Sequence, residues 1–179
     1  MFAGRAVSNY QIAQLNIATL KAAIDSPQLS EFVANLDRIN ALAEASPGFV
    51  WRLQTDEGDA TGIDYFGTER IVNMSLWDSI ESLHDYVYRS AHIEIMRRKK
   101  EWFHRMGQAY MVLWWVPAGH IPSVEEAAKK LALLREHGPT AQAFTFRKAF
   151  PAPGEPISTL SNTVDGNRPT KMEGGLSQD

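Results

Sequence analysis

RIVNMSLW, residues 70–77, alternates Val72, Met74 and Leu76 with Asn73, Ser75 and Trp77. A period of two over that length marks a strand with two unlike faces. Asp78 or Ser79 follows at once and can cap a helix, and the helix period then runs as one long helix from about Ile80 to Met106, whether it breaks near Ser90 staying open. Upstream, residues 10–20 (YQIAQLNIATL) set Tyr10, Ile12, Gln14 and Asn16 against Ala13, Leu15 and Ile17, a first strand. Ser26-Pro27 predicts the start of a helix, Leu29, Phe32, Val33, Leu36, Ile39 and Leu42 carry it, and Pro47-Gly48 ends it. Residues 49–54 form a second strand, Asp56–Gly67 a loop, and residues 109–116 (AYMVLWWV) a fourth strand. Ser123 with Glu126 makes an S-x-x-E capping pattern for a helix ending at Gly138, and Phe144–Phe150 suits a last strand.

The predicted order is β-α-β-β-α-β-α-β. Its first six elements are the ferredoxin-like split arrangement, so the fold class is α+β with an extra C-terminal helix and strand. Residues 1–150 read as one domain. From Pro151 the composition shifts to Pro, Gly, Ser, Thr and Asn without apolar period, and residues 151–179 read as a flexible tail.

Strand parity separates two sheet faces. Leu15, Ile17, Val72, Met74 and Leu76 suit a face packed by helices, while Gln14, Asn16, Asn73, Ser75 and Trp77 share the other. On the second strand Arg52 and Gln54 share one register, Trp51 and Leu53 the other; Trp114 and Trp115 point opposite ways. A face mixing amides, Ser, Arg and Trp is too polar for a dry core and too aromatic for plain surface. Two expectations stay open: a wet interface with water or a second subunit, or a cavity whose few polar groups orient an apolar ligand.

On the following helix, steps of about 100° from Ile95 bring Met96, Trp102, Phe103 and Met106 into an arc of roughly 120°. His92, Lys99 and, if the helix is unbroken, Tyr88 fall inside it. His92 and Lys99 then stand about 10.5 Å apart along the axis, too far to bond but able to face one cavity. Arg97–Lys100 looks basic, yet it is spread around the helix as a solvated face.

The chain has 179 residues, 18 Lys+Arg against 21 Asp+Glu, and no cysteine. A formal charge of −3 argues against nucleic acid, and the absence of cysteine removes disulfides, thiolate metal sites and cysteine nucleophiles. No run is apolar enough for a membrane helix, and a cytoplasmic protein is expected. His84, His92, His104, His120 and His137 make no metal-ligand spacing, so no metal is expected; a lone axial histidine to haem stays open. The phosphate-loop, dinucleotide and nucleophile-elbow motifs do not occur.

The segment VNMSLWDSIESLHDYVYRSAH, residues 72–92, resembles the strand-then-helix signature of the antibiotic-biosynthesis-monooxygenase-like proteins. Continued through YMVLWWVPAGHIPSVEEAAKKLALLREHGPTAQAFTF, it resembles an uncharacterised domain-of-unknown-function family of the dimeric α/β-barrel superfamily, over about residues 9–147. The resemblance implies a homodimer whose sheets close face to face, covering the polar-aromatic face. It also implies an enzyme acting without a cofactor on a small apolar or aromatic molecule; the alternatives are a non-enzymatic homodimeric binding module and a haem-binding oxidoreductase. The haem-degrading branch uses a first-strand Asn and a helix His, which Asn16 and His92 match. Its helix Trp would fall near Tyr86, where this chain departs from the pattern. His92 is the candidate catalytic base. Asn16, Arg52 and Asn73 are the candidates for substrate oxygens, Tyr88 and Lys99 further lining groups, and Trp77, Met96, Phe103 and Trp114 (or Trp115) the walls.

Overall fold

The computed structural model describes residues 9–55 and 64–156. In chain order come β1 (Tyr10–Thr19), α1 (Ser30–Glu44), β2 (Phe49–Arg52), β3 (Arg70–Trp77), α2 (Ile80–Arg89), α3 (His92–Trp102), β4 (Met111–Pro117) and α4 (Val124–His137). The strands make one sheet in the order β2-β3-β1-β4 with every pair antiparallel. This is the ferredoxin-like α+β topology that the alternation predicts. β1 lies in the middle, with Leu15 opposite Met74 and Val112, and Asn16 opposite Asn73 and Met111.

The apolar register is covered by α4. Ala13, Leu15 and Ile17 of β1, Val72, Met74 and Leu76 of β3, and Val112, Trp114 and Val116 of β4 form one buried cluster with Ala127, Leu131 and Leu134 of α4. The capping pattern works as its spacing predicts: Ser123 Oγ accepts from the Glu126 amide at 3.0 Å. The Glu126 carboxylate turns outward from that cap, accepting from Trp114 Nε1 at 3.0 Å and lying 2.7 Å from His120 Nε2. These bonds fasten the start of α4 to β4.

The polar-aromatic register faces α1, α2 and α3. The expectation that a partner's sheet would cover this face is corrected here: the chain's own three helices do so. Ile12 and Trp77 pack with Ala43 of α1 and with Ile80 and Leu83 of α2, while Leu29, Phe32 and Trp102 close the far end beside Leu20. Parity distinguishes two faces but does not say which helices each receives.

Three boundaries differ from the sequence expectation. The first helix begins at Ser30 after turns through Ser26–Leu29, because Ser26 and Leu29 are joined by a reverse-turn hydrogen bond (3.0 Å) and Leu29 takes the cap position without a side-chain bond. The long helix is two helices. The last strand is reduced to a bridge in which Leu113 and Phe144 exchange both backbone bonds (2.8 and 2.9 Å), after which the turn from Thr145 to Lys148 leads the chain away. Of the stretch read as a tail, Ala152 is 3% exposed; residues 157–179, like 56–63 of the expected loop, lie outside the described residues. Gly48, with φ of 81°, makes the turn into β2 so close to α2 that a Cβ there would meet Asp78 Oδ1 and Ser82 Oγ at 2.3 Å.

Leu131 is 1% exposed and lies in the cluster that joins α4 to the sheet. Leu131→Ala is expected to destabilise the protein by about 2–5 kcal/mol, read as a lowered denaturant midpoint with an unchanged slope. A loss below about 0.5 kcal/mol would show that α4 does not belong to the cooperative core.

Candidate ligand cavity

Between the polar face of the sheet and α1–α3 lies a cavity of about 990 Å³, at the upper end of the range for small-molecule sites. Its floor is Asn16, Asn73, Ser75 and Trp77. Leu36, Ile39 and Ala43 of α1 form one wall, and His92, Ile95, Met96 and Lys99 of α3 another, with Phe103 and Met106 beyond. The bulge in β2 between Phe49 and Trp51 puts Arg52 opposite Ser75, so it reaches the same floor. Arg52 Nε also binds Glu44 Oε1 at 2.8 Å, which holds the guanidinium against the end of α1.

A buried hydrogen-bonded line crosses the floor. Trp77 Nε1 donates to Ser75 Oγ (3.0 Å), and Ser75 Oγ donates to Gln14 Oε1 (3.1 Å). It gives a partner to three side-chain polar groups that are themselves buried, and it fixes the plane of the Trp77 ring. Tyr86 stacks on that ring with centroids 5.0 Å apart, and the His92 ring lies 4.9 Å from Tyr86, tilted. The Tyr86 hydroxyl donates to Ile39 O at 3.4 Å, tying α2 to α1. Burial pushes the Tyr86 phenol above its ordinary value, so it stays protonated.

Ser90 sets the position of His92. Its backbone is extended (φ −99°, ψ 177°), which ends α2. Its hydroxyl donates to Tyr86 O and accepts from the His92 amide at 3.1 Å, so one side chain closes α2 and opens α3. His92 is thereby the first residue of α3. Burial lowers its pKa, opposed by the contact between Nδ1 and Val87 O at 3.4 Å. The positive end of the α3 dipole acts in the same direction as burial. His92 is therefore neutral at pH 7. With Nδ1–H given to the Val87 carbonyl, Nε2 carries the lone pair.

Of the residues singled out in the sequence, Asn16, Arg52, Asn73, Trp77, His92, Met96, Lys99 and Phe103 all line this cavity. Tyr88 and Trp114 do not. The break at Ser90 rotates Tyr88 out of the α3 arc; it is 43% exposed and packs against His84 and Phe146. Trp114 is on the opposite face under α4, 1% exposed. Trp115 shares the cavity's side of the sheet but packs beyond its end, bonding Phe150 O at 2.9 Å. The sequence reading did not select Tyr86, Asn35, Asn40 or Tyr110, which also line the cavity. Tyr86 lies on α2 six residues before His92 and meets it only because the chain turns between the two helices.

The topology and this one-sided cavity define a ferredoxin-like α+β domain with a pocket between sheet and helices. The family model described as "Domain of unknown function (DUF3291)" matches residues 11–160, and the chain belongs to that family. Among solved structures, NE2512 of Nitrosomonas europaea, a protein of unknown function, is similar at 12% identity and a TM-score of 0.41, over 64% of this chain and 97% of that one. SnoaB of Streptomyces nogalater, a cofactor-independent oxygenase, is similar at 15% identity and a TM-score of 0.39, over 62% of this chain and 95% of its own. Rv0793 of Mycobacterium tuberculosis is similar at 14% identity and a TM-score of 0.40, over 63% and 99%. No protein of curated function matches the chain. Among the described residues no helix is long and apolar enough to cross a membrane, and no group of three or more His, Asp or Glu could hold a metal ion.

Two measurements check this geometry. Because the folded state lowers the His92 pKa below 6.5, the unfolded chain binds more protons just below that value. The His92 contribution to stability is thus complete above pH 6.5 and is lost as pH falls toward the folded pKa. His92→Gln should flatten that part of the stability–pH curve, and an unchanged curve would contradict the buried neutral imidazole. Separately, Ser75→Ala leaves Trp77 Nε1 and Gln14 Oε1 without their shared partner. We expect a loss of about 1–3 kcal/mol with a shift in tryptophan emission; a neutral substitution would show the line to be dispensable.

Proposed function

We propose that the protein is a small-molecule enzyme of the antibiotic-biosynthesis-monooxygenase-like type, acting on an apolar, aromatic substrate in this cavity without a bound cofactor. The observation that carries the proposal is the half-buried neutral His92 imidazole beside Ile95 and Met96, facing a floor that carries the Asn16 and Asn73 amides. Among the described lining residues none is a carboxylate and two are histidines; His104 is exposed beside the end of β1, while His92 is half-buried against Tyr86, so the His92 imidazole is the group we assign to accept a proton near neutral pH.

A phenolic or enolisable substrate lies between the sheet and α3 with its acidic proton toward His92 Nε2. Proton transfer leaves an oxyanion, and the Asn16 and Asn73 amides and the Arg52 guanidinium are the donors placed to hold it. Tyr86 meets the substrate's aromatic rings, backed by the buried Trp77 ring on which it stacks, and Met96 and Phe103 keep water from the reacting carbon. The electron-rich anion then reduces dioxygen. A ring CH2 loses two hydrogens and becomes C=O with one oxygen atom, while the second oxygen leaves as water.

The working unit proposed is a homodimer, on the resemblance. Native mass spectrometry reads this directly: a monomer mass would remove the pairing and leave the cavity untouched.

Oxygen-electrode assays with a dihydroxyanthrone as probe test the chemistry. We expect stoichiometric uptake of dioxygen with quinone formation, and a fall in rate of about 10²–10⁴-fold in His92→Ala with probe binding retained. Binding without uptake would favour the non-enzymatic binding module. A haem would use His92 Nε2 as its axial ligand, so a Soret band on adding haemin, lost in His92→Ala, would replace the base role by ligation.

A further inference from the structure

At the solvent-exposed edge of the cavity lining, where Lys21, Lys100 and Arg105 are exposed, the end of β1 runs beside the segment leaving α3. Leu20 bridges Phe103, Lys21 N donates to Trp102 O at 2.9 Å, and His104 N donates to Thr19 O at 2.9 Å. This local pairing gathers Lys21, Lys99, Lys100 and Arg105 onto the cavity's rim. Lys21 Nζ donates to Lys100 O, 2.6 Å away, and Lys99 Nζ stands over the Tyr110 ring at 5.8 Å. Neither contact supplies a negative charge.

Ion pairs form elsewhere in the described chain: Arg38 with Glu94, Arg52 with Glu44, Arg98 with Glu31 and Glu101, and Lys129 with Glu125. None of the four rim cations has a carboxylate within ion-pair distance among the described residues. The chain as a whole has more acids than bases, 21 against 18, so this local excess is not a reflection of composition. A second observation lies deeper. Asn16 Oδ1 is buried and without a hydrogen-bond partner among the described residues. An acceptor in that condition at the cavity floor is open to a donor, from water or from a ligand.

We infer that the ligand of this cavity is an amphipathic aromatic anion, with a hydroxyl or N–H donor that meets Asn16 Oδ1 and an oxyanion group held at the rim by Lys21, Lys99, Lys100 and Arg105. The inference rests on the reading of the cavity as a ligand site and adds the charge of what it takes. Rim charges also draw such an anion in before it docks. A hydrocarbon of the same shape gains the walls but not the rim.

Two fluorescent probes with one ring skeleton separate the possibilities: anilinonaphthalene sulfonate, an anion, and N-phenylnaphthylamine, its uncharged counterpart. The sulfonate is expected to bind more tightly, and its affinity should fall as salt rises, since exposed pairs are screened. Lys99→Gln and Arg105→Gln should each weaken the sulfonate by roughly two- to fivefold and leave the amine unchanged. Arg97→Gln, an exposed α3 position away from the cavity, should affect neither. Equal binding of the two probes, insensitivity to salt, or an equal effect of Arg97→Gln would overturn the anionic assignment while the apolar cavity stands. Failure of both probes to bind would overturn the cavity as an aromatic-ligand site, and this inference with it.

Discussion

The packing of α4 against the apolar register of the sheet is the contact on which the remainder of the structure depends. A four-stranded sheet needs at least one well-covered face to be stable in water. Here Ala127, Leu131 and Leu134 supply that cover over Leu15, Met74, Leu76 and Trp114. With a dry core on that side, the opposite face is free to carry Asn16, Asn73 and Arg52 around a space that is not filled by protein. The division places stability and ligand chemistry on opposite faces of β1 and β3. It also explains why Trp114 and Trp77, both fully buried, have different roles: one bonds Glu126 and secures α4, the other forms the floor of the cavity.

A second determinant is local. A continuous helix from Ile80 would put His92 on the same unbroken spiral as Tyr88. The extended backbone at Ser90 stops that spiral, and the Ser90 hydroxyl satisfies one backbone group from each side of the break. Tyr86 and His92 are brought into ring contact as a result, and His92 sits at a helix start, where a neutral imidazole is favoured over its cation. The chemistry proposed for the cavity thus depends on a serine that does not line it.

Much of the sheet was legible because period-two alternation is written plainly in residues 10–19 and 70–77, and each strand's parity separated Leu15 and Met74 from Asn16 and Asn73. The fold class followed from element order alone. The assignment of helices to faces did not, since a strand's alternation is symmetric with respect to which neighbour covers which side. The wheel that grouped His92, Met96, Lys99 and Phe103 held because those residues lie on or just past one short helix; it failed for Tyr88 because the same wheel was extended across a break. Tyr86 was missed for the converse reason, as its contact with His92 depends on the angle between two helices rather than on spacing within one. The expected last strand has suitable residues at Phe144 and Phe146, but the turn from Thr145 to Lys148 prevents a continued ladder.

The sheet's two margins have a consequence for solubility and self-association. At one margin β2 offers only four residues and is interrupted by its bulge. At the other, the Leu113 N–H and C=O are already engaged by Phe144. An incoming strand therefore meets no long, regular row of unpaired backbone groups at either side among the described residues. Open margins of that kind are templates for amyloid-like growth and strand exchange, and here both are blunted by irregularity. Association of this domain with itself or with other chains is left to side-chain recognition, which can be specific and reversible.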